Sequence, residues 1–308
     1  DLLFKILDTM MAAHISANAV STVAYLSQIN MAISALGGGL AVGASIKISE
    51  AYGEGNFELV KRRVSTLFAL CGLLGMAILA ILIPVAPQFL RLANTPEEFI
   101  EEGTVYFILE LVSLVIIFFN NVYIAIERAR GNSKRILNLN MVVIGIKLSL
   151  TAFFVYVLKG GINYISIATI VSQLALLGVA VFYMNAKENV FGFSWKAISF
   201  RKLVVAPMIK LSVPVIVEKM AFSLGKVVVN SMSTVYGTLT VGALGISNNI
   251  GGITTNPQNG FQEGASAIIS QNLGAGKKKR ALKAFWCVLV MNLTLSVVLM
   301  SASLLCLH

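Results

Sequence analysis

Apolar stretches long enough to cross a bilayer alternate with short polar connections along the whole chain of 308 residues. "LFALCGLLGMAILAILIPVAPQFL" and "CVLVMNLTLSVVLMSASLLC" are the plainest, a span requiring roughly 20 residues at about 1.5 Å each. The pattern predicts nine hydrophobic helices, at roughly 1–17, 20–52, 65–92, 100–130, 135–158, 163–185, 210–236, 241–272 and 282–308. The second and eighth exceed the hydrocarbon thickness and must protrude or bend. Gly37-Gly38-Gly39 inside the second marks a flexible or closely packed stretch of backbone.

The polar connections differ in charge by turns. "LVKRR" follows the second segment and "ERARGNSKR" the fourth; Lys187, Lys196, Arg201 and Lys202 follow the sixth and "GAGKKKRALK" the eighth. The alternate connections, "SANAVST", "RLANTPEEFIEEG", "LKGGIN" and "VYGTLTVGAL", are neutral, acidic or nearly uncharged. Lysine and arginine gather on the cytoplasmic side. The expectation is therefore a multi-pass protein of the plasma (cytoplasmic) membrane, with the start of the chain and the linker after the sixth helix on the cytoplasmic side.

One phrase occurs twice. "GASIKISEAYGEG" begins at Gly43 and "GASAIISQNLGAG" at Gly264, 221 residues later, with seven of thirteen positions identical. Each copy ends a long even-numbered helix and is followed by basic residues. "LDTMM" around Asp8 is echoed by "VNSMS" around Asn230 at an offset of 222. Six spans separate the copies, an even number, so both units share one orientation, as in transporters with parallel repeats. The fold expected is all-α: a polytopic helical membrane protein of two parallel-repeat six-helix lobes, the second truncated after about three helices. The organisation is an N-terminal lobe over 1–185, a cytoplasmic linker over 186–209 and a partial C-terminal lobe over 210–308. A chain that starts with Asp and stops three helices into its second unit is expected to be a fragment or a truncated product.

Composition agrees and excludes other classes. Hydrophobic residues make up 57% and charged residues 12% of the chain, against about 25% charged in a soluble domain. The net charge of +10 sits in short connections without aromatic interleaving, which argues against nucleic acid. Cys71, Cys287 and Cys306 fall in or at the end of apolar runs as buried free thiols, with no metal or disulfide spacing. "GAGKKKR" lacks the Ser or Thr of a phosphate loop, and no His-Glu metal pair, nucleophile elbow or Cys-His cluster is present. No enzyme, no metal and no cofactor is expected.

Charges within the spans then stand out, because each costs about 2.5–3.5 kcal/mol on insertion scales. Lys147 lies about 11–12 residues from either end of its segment, roughly 16–18 Å, too deep for its stem to reach water. Asp8 lies at comparable depth. The two form an expected pair, either opened or reprotonated during transport or static and fixing helix packing. Glu218 suits a substrate or proton site or a packing role beside Lys219. Lys226 suits a cavity-facing role and shares a helix face with Asn230. Gln28, Asn30, Asn120, Asn121, Asn256, Gln258 and Asn259 either line a cavity or bond helices together.

The segments "LDTMM", "GASIKISEAYGEG", "ERARGNSKR", "PVIVEKMAFSLGKVVVNSMS" and "NPQNGFQEGASAIISQNLGAGKKKRA", in this order and spacing, resemble the multidrug and toxic compound extrusion (MATE) transporters. The resemblance implies a V-shaped pair of lobes, and export of amphipathic or cationic compounds driven by inward H⁺ or Na⁺. It maps the family aspartate of the first helix onto Asp8 and an acidic residue of the seventh, used in some branches, onto Glu218. It also implies an Asn and an Asp on the fifth helix in the sodium-coupled branch. Here Lys147 and Thr151 stand at what look like those positions, and a lysine ammonium would occupy the place of the cation.

The reading is a cation-coupled antiporter working by alternating access. Its expected partners are a small amphipathic substrate, a coupling cation and the lipid bilayer. Two alternatives stay open. A flippase for lipid-linked saccharides would need a basic cavity, for which Lys147 and Lys226 speak. A non-transporting scaffold or inactive relative would not need buried charges.

Overall fold

Most of the apolar runs form helices that continue past the hydrophobic stretch into the charged residues beside it. The computed structural model describes residues 17–92, 100–186, 189–236 and 238–305. In chain order these form α1 (Ala17–Gly53), α2 (Phe57–Leu82), a short α3 (Ala86–Leu92), α4 (Ile100–Ala129) and α5 (Ser133–Ala152), which continues as a π-helical turn over Phe153–Val157. Then come α6 (Ile162–Met184), α7 (Lys202–Ser233), α8 (Thr238–Gly274) and α9 (Lys278–Leu305). The fold is all-α, with no strand among the described residues. The first expected segment, with Asp8, lies outside them.

Among the described residues, six helices are long and apolar enough to cross a membrane: 29–53 of α1, α2, 103–129 of α4, α5 with its π turn, α6, and 278–302 of α9. The helices α7 and α8, 32 and 37 residues long, carry more polar groups. Lys210, Glu218, Lys219 and Lys226 lie on α7; Asn248, Asn249, Asn256 and Gln258 lie on α8. Large apolar side chains such as Phe182, Leu73 and Val142 point outward, as lipid-facing positions do.

Helix ends differ from the sequence expectation for local reasons. The helix α2 starts at Phe57, not near 65, because Asn56 caps it, its side chain accepting the Leu59 N–H at 3.1 Å. The residues "LVKRR" are thus its first turns. Pro84 has no amide hydrogen to continue α2, so the apolar run breaks before α3. The helix α7 begins at Lys202, inside the expected linker, and keeps Pro207 and Pro214 within it.

The two copies of the repeated phrase end their helices identically. Gly55 and Gly276 adopt left-handed backbone, φ +74° and +71°, the conformation that glycine takes without penalty. Around Gly55, Asn56 N–H bonds to Ala51 C=O at 3.1 Å and Gly55 N–H to Tyr52 C=O at 3.1 Å. Around Gly276, Lys277 N–H bonds to Asn272 C=O at 2.7 Å and Gly276 N–H to Leu273 C=O at 3.0 Å. Every partner is displaced by 221 residues.

The core has two parts. Near the basic end, Leu40, Ala44, Ile48, Val64, Leu67, Val122, Tyr123 and Ile126 join α1, α2 and α4. Toward the other end, Leu26, Phe107, Leu111, Phe118, Ile162 and Ile165 join α1, α4 and α6. Because lipid is as apolar as these side chains, close van der Waals fit holds such helices together. The helix α1 also runs against α7. A Cβ on Gly39 would stand 2.9 Å from Ile216 Cα, and one on Gly43 2.6 Å from Ser212 N, so only glycine permits this approach. The Ser212 hydroxyl sits within 3.2 Å of Leu40 C=O and 2.9 Å of Met208 C=O.

The segment between α6 and α7 is pinned to α2. Ser65 Oγ accepts the Ser194 N–H at 3.0 Å, and Thr66 Oγ1 accepts the Ser199 N–H at 3.0 Å while donating to Ser199 C=O at 3.3 Å. Phe191 is buried in the same core.

Candidate functional site

Among the residues singled out in the sequence, Lys147 lies inside the first half, 4% exposed, with Thr151 one turn further on at 2%. Asp8 lies outside the described residues, as do the side chains of Gln28 and Asn230.

Asn30 leads to a group that sequence reading missed. Its Nδ2 donates to Glu110 Oε2 at 3.1 Å, while Ser166 Oγ donates to Glu110 Oε1 at 2.7 Å. Three helices, α1, α4 and α6, therefore meet at one half-buried carboxylate. Glu110 lies ten residues along α4, about 15 Å from its start. Asn30 is 7% exposed, and its Oδ1 has no hydrogen-bond partner. The signal was present: Glu110 is a lone acid in "VYFILELVSLVIIFF", and such a placement needs an explanation. Farther along α4, Asn120 is 1% exposed and donates to the Gln173 side chain at 2.7 Å and to its C=O at 3.0 Å. That bond ties α4 to α6.

In the second half the singled-out residues stand apart from this cluster. Glu218 is exposed on α7. Lys226 is half-buried, its ammonium 4.8 Å from the Phe222 ring centre, a cation–π contact one turn back. Asn256 is exposed, and Gln258 donates to Ser296 Oγ at 2.7 Å, joining α8 to α9. Cys71 is buried but Cys287 is exposed on α9, a correction to the expectation of buried thiols. Its segment presents that face outward. No cluster of metal-ligating side chains occurs among the described residues.

At the basic end the two repeats touch one another. A Cβ on Gly53 would overlap the Gln271 carbonyl, its carbon only 2.8 Å away; one on Gly274 would overlap the Glu50 carbonyl, its carbon 2.9 Å away. Gly53 and Gly274 are equivalent positions of the repeat, as are Glu50 and Gln271, so the contact is isologous about a local two-fold axis. Gln271 Nε2 also donates to Ala129 C=O at the end of α4. Arg128 Nη1 lies 2.5 Å from Glu263 Oε2, and Lys219 Nζ 3.7 Å from Glu263 Oε1. These ion pairs link α4 and α7 to α8. Beside them Glu127, fully buried, holds Arg130 at 3.4 Å and Arg135 at 3.3 Å, and Arg135 lies over the Tyr183 ring at 4.1 Å. The arginines of "ERARGNSKR" are therefore more than a marker of sidedness.

Comparison with known proteins agrees with this architecture. The family model MatE matches residues 2–153 and 214–308. "Probable multidrug resistance protein YoeA" of Bacillus subtilis (strain 168) is 25% identical over 249 residues, 79% of this chain and 54% of that protein. "Probable multidrug resistance protein YpnP" of the same organism is 26% identical over 197 residues, 62% of this chain and 42% of that protein. The chain thus spans about half the length of these curated relatives. Among solved structures, the outward-facing conformation of a multidrug resistance MATE family transporter superposes with a TM-score of 0.90 at 19% identity, over 99% of this chain and 68% of that one.

Proposed function

Since the chain belongs to the MatE family of membrane transporters, we propose that the whole protein exports amphipathic, often cationic, compounds by alternating access, coupled to inward H⁺ or Na⁺. The observation that carries this reading is the isologous contact of Gly53 and Gly274 with Gln271 and Glu50. Backbone meets backbone there, flanked by a few polar ties such as Gln271 to Ala129 and Arg128 to Glu263, which suits two halves that close one face of a central path and then part. Positive-inside bias puts this end on the cytoplasmic side of the plasma membrane. The names of the curated relatives, both multidrug resistance proteins, support the substrate class. An Asp8–Lys147 pair within the first half belongs to the same reading, as does Glu218 as a second acidic site. Lys226, half-buried on α7, belongs to it as a substrate-facing group.

The test uses the complete protein in proteoliposomes with proton and sodium gradients imposed separately. Ethidium efflux under one gradient supports the reading and names the coupling ion. Movement of a labelled lipid-linked saccharide without ethidium efflux would favour the flippase, for which the buried Lys147 and half-buried Lys226 speak. Movement of neither would leave the scaffold.

A further inference from the structure

Resting on the transport reading, we infer that Glu110, held between Asn30 and Ser166, is a proton-carrying carboxylate that couples transport to the closure of the basic end. Among its contacts are an amide N–H from α1 on Oε2 and a hydroxyl from α6 on Oε1. Both donors also serve the protonated acid. On taking a proton at Oε2, the carboxyl becomes an O–H donor; the Asn30 amide turns over, and its Oδ1, which has no partner, accepts that hydrogen. Ser166 keeps its bond to Oε1. One proton is taken from water. A carboxylate flanked by an orphaned, buried amide oxygen is thus equipped for both protonation states.

A sodium ion fits less well. The Asn30 N–H and the Ser166 O–H would both have to swing away from the oxygens they now occupy, and the first half already encloses the Lys147 ammonium. Among the described side chains, the other titratable or charged groups in the same half of the bundle are Glu101 and Tyr106 on α4, Arg91 on α3, Tyr156 and Lys159 at the end of α5, and Tyr164 on α6. The described residues of α1 and α2 add Tyr25 and the thiol of Cys71 to this half.

The consequence reaches the far end through α1. Asn30 and Gly53 are on this one helix, 23 residues and about 35 Å apart. Reversing the hydrogen bond at Asn30 alters the hold of α4 on α1. The end of α1 is one side of the contact that closes the basic face.

Complete protein in proteoliposomes, with ethidium as the probe and a pH-sensitive dye in the lumen, carries the test. Wild type is expected to export ethidium under a proton gradient and to release protons when ethidium binds. Glu110→Gln is expected to bind ethidium yet lose both proton release and gradient-driven efflux. Glu110→Asp restores release with a displaced pH profile, which a packing role would not do. Should Glu110→Gln not fold, Ser166→Ala removes a hydroxyl donor that binds the charged oxygen more strongly than the neutral one and moves the midpoint of proton release upward by about one pH unit. An unmoved midpoint there overturns the inference. Normal efflux and proton release by Glu110→Gln overturns it while leaving the transport reading intact. Efflux driven by sodium alone and lost in Glu110→Gln replaces the proton with a metal ion and also overturns it. Wild type moving ethidium under neither gradient sinks both together.

Discussion

Gly53 and Gly274 each set an α-carbon on the carbonyl of the residue three before the other. The arrangement gives two Cα–H···O contacts across one axis, each worth about 0.5–1 kcal/mol. It tolerates no side chain, and it explains the glycine that stands third from the end of the repeated phrase. The last glycine of each copy, Gly55 or Gly276, has a different task, the left-handed turn that ends the helix.

The two kinds of glycine are separable by experiment. Gly53→Ala or Gly274→Ala forces α1 and α8 apart, and loss of both contacts shifts the closed state toward open by about tenfold. Labelling of Ser49→Cys, buried at this end, by a water-soluble maleimide should accelerate accordingly. Gly55→Ala has no neighbour within 4 Å. It should cost about 1 kcal/mol in thermal stability through its backbone and leave the labelling rate unchanged.

Arg128 and Glu263 should couple energetically across the same interface. Both are about a quarter exposed, so screening limits the pair to about 1 kcal/mol. In a double-mutant cycle of Arg128→Gln and Glu263→Gln, read by the same labelling, the second substitution should add little to the first. Strict additivity would show the pair to be incidental.

Glu127 predicts an asymmetry. Arg130 and Arg135 retain 37% and 30% of their side-chain exposure, whereas Glu127 has none. Glu127→Gln leaves two cations that can turn to water. Arg130→Gln with Arg135→Gln leaves a buried carboxylate without its cations, a loss of about 3–5 kcal/mol. Thermal unfolding in detergent should rank the double variant well below Glu127→Gln; equal melting temperatures would contradict the arrangement.

Gln258 should behave as a tie between helices. Its bond to Ser296 is of a type worth about 0.6 kcal/mol within membranes. Gln258→Leu should lower the melting temperature slightly and leave ethidium affinity unchanged. A large change in affinity would instead put Gln258 on the substrate path.

Much of the architecture was legible because lipid imposes a simple rule on apolar run length, and because Gly43–Gly55 and Gly264–Gly276 share their spacing. Helix ends were less legible. Lys61, Arg62 and Arg63 belong to α2 and Lys202 opens α7, because a helix carries its charged turns out to water beyond the point where hydropathy falls. Partners of Glu110 and Glu263 come from segments 44 to 135 residues away, and spacing along one chain does not encode such meetings. Asn30 was singled out for its polarity; that it would bind a carboxylate follows only from the packing of α1 on α4.

The stitching of Ser194 and Ser199 onto Ser65 and Thr66 makes the connector a fixture of the first half. Under the alternating access proposed above, a swing of the second half would turn on the few residues between Ser199 and Lys202, a pivot beside the basic face. With so short an arm near one end, a small rotation of α7 becomes a broad sweep at the other. A cross-link placed between residues 199 and 202 should therefore freeze the machine without touching anything it carries.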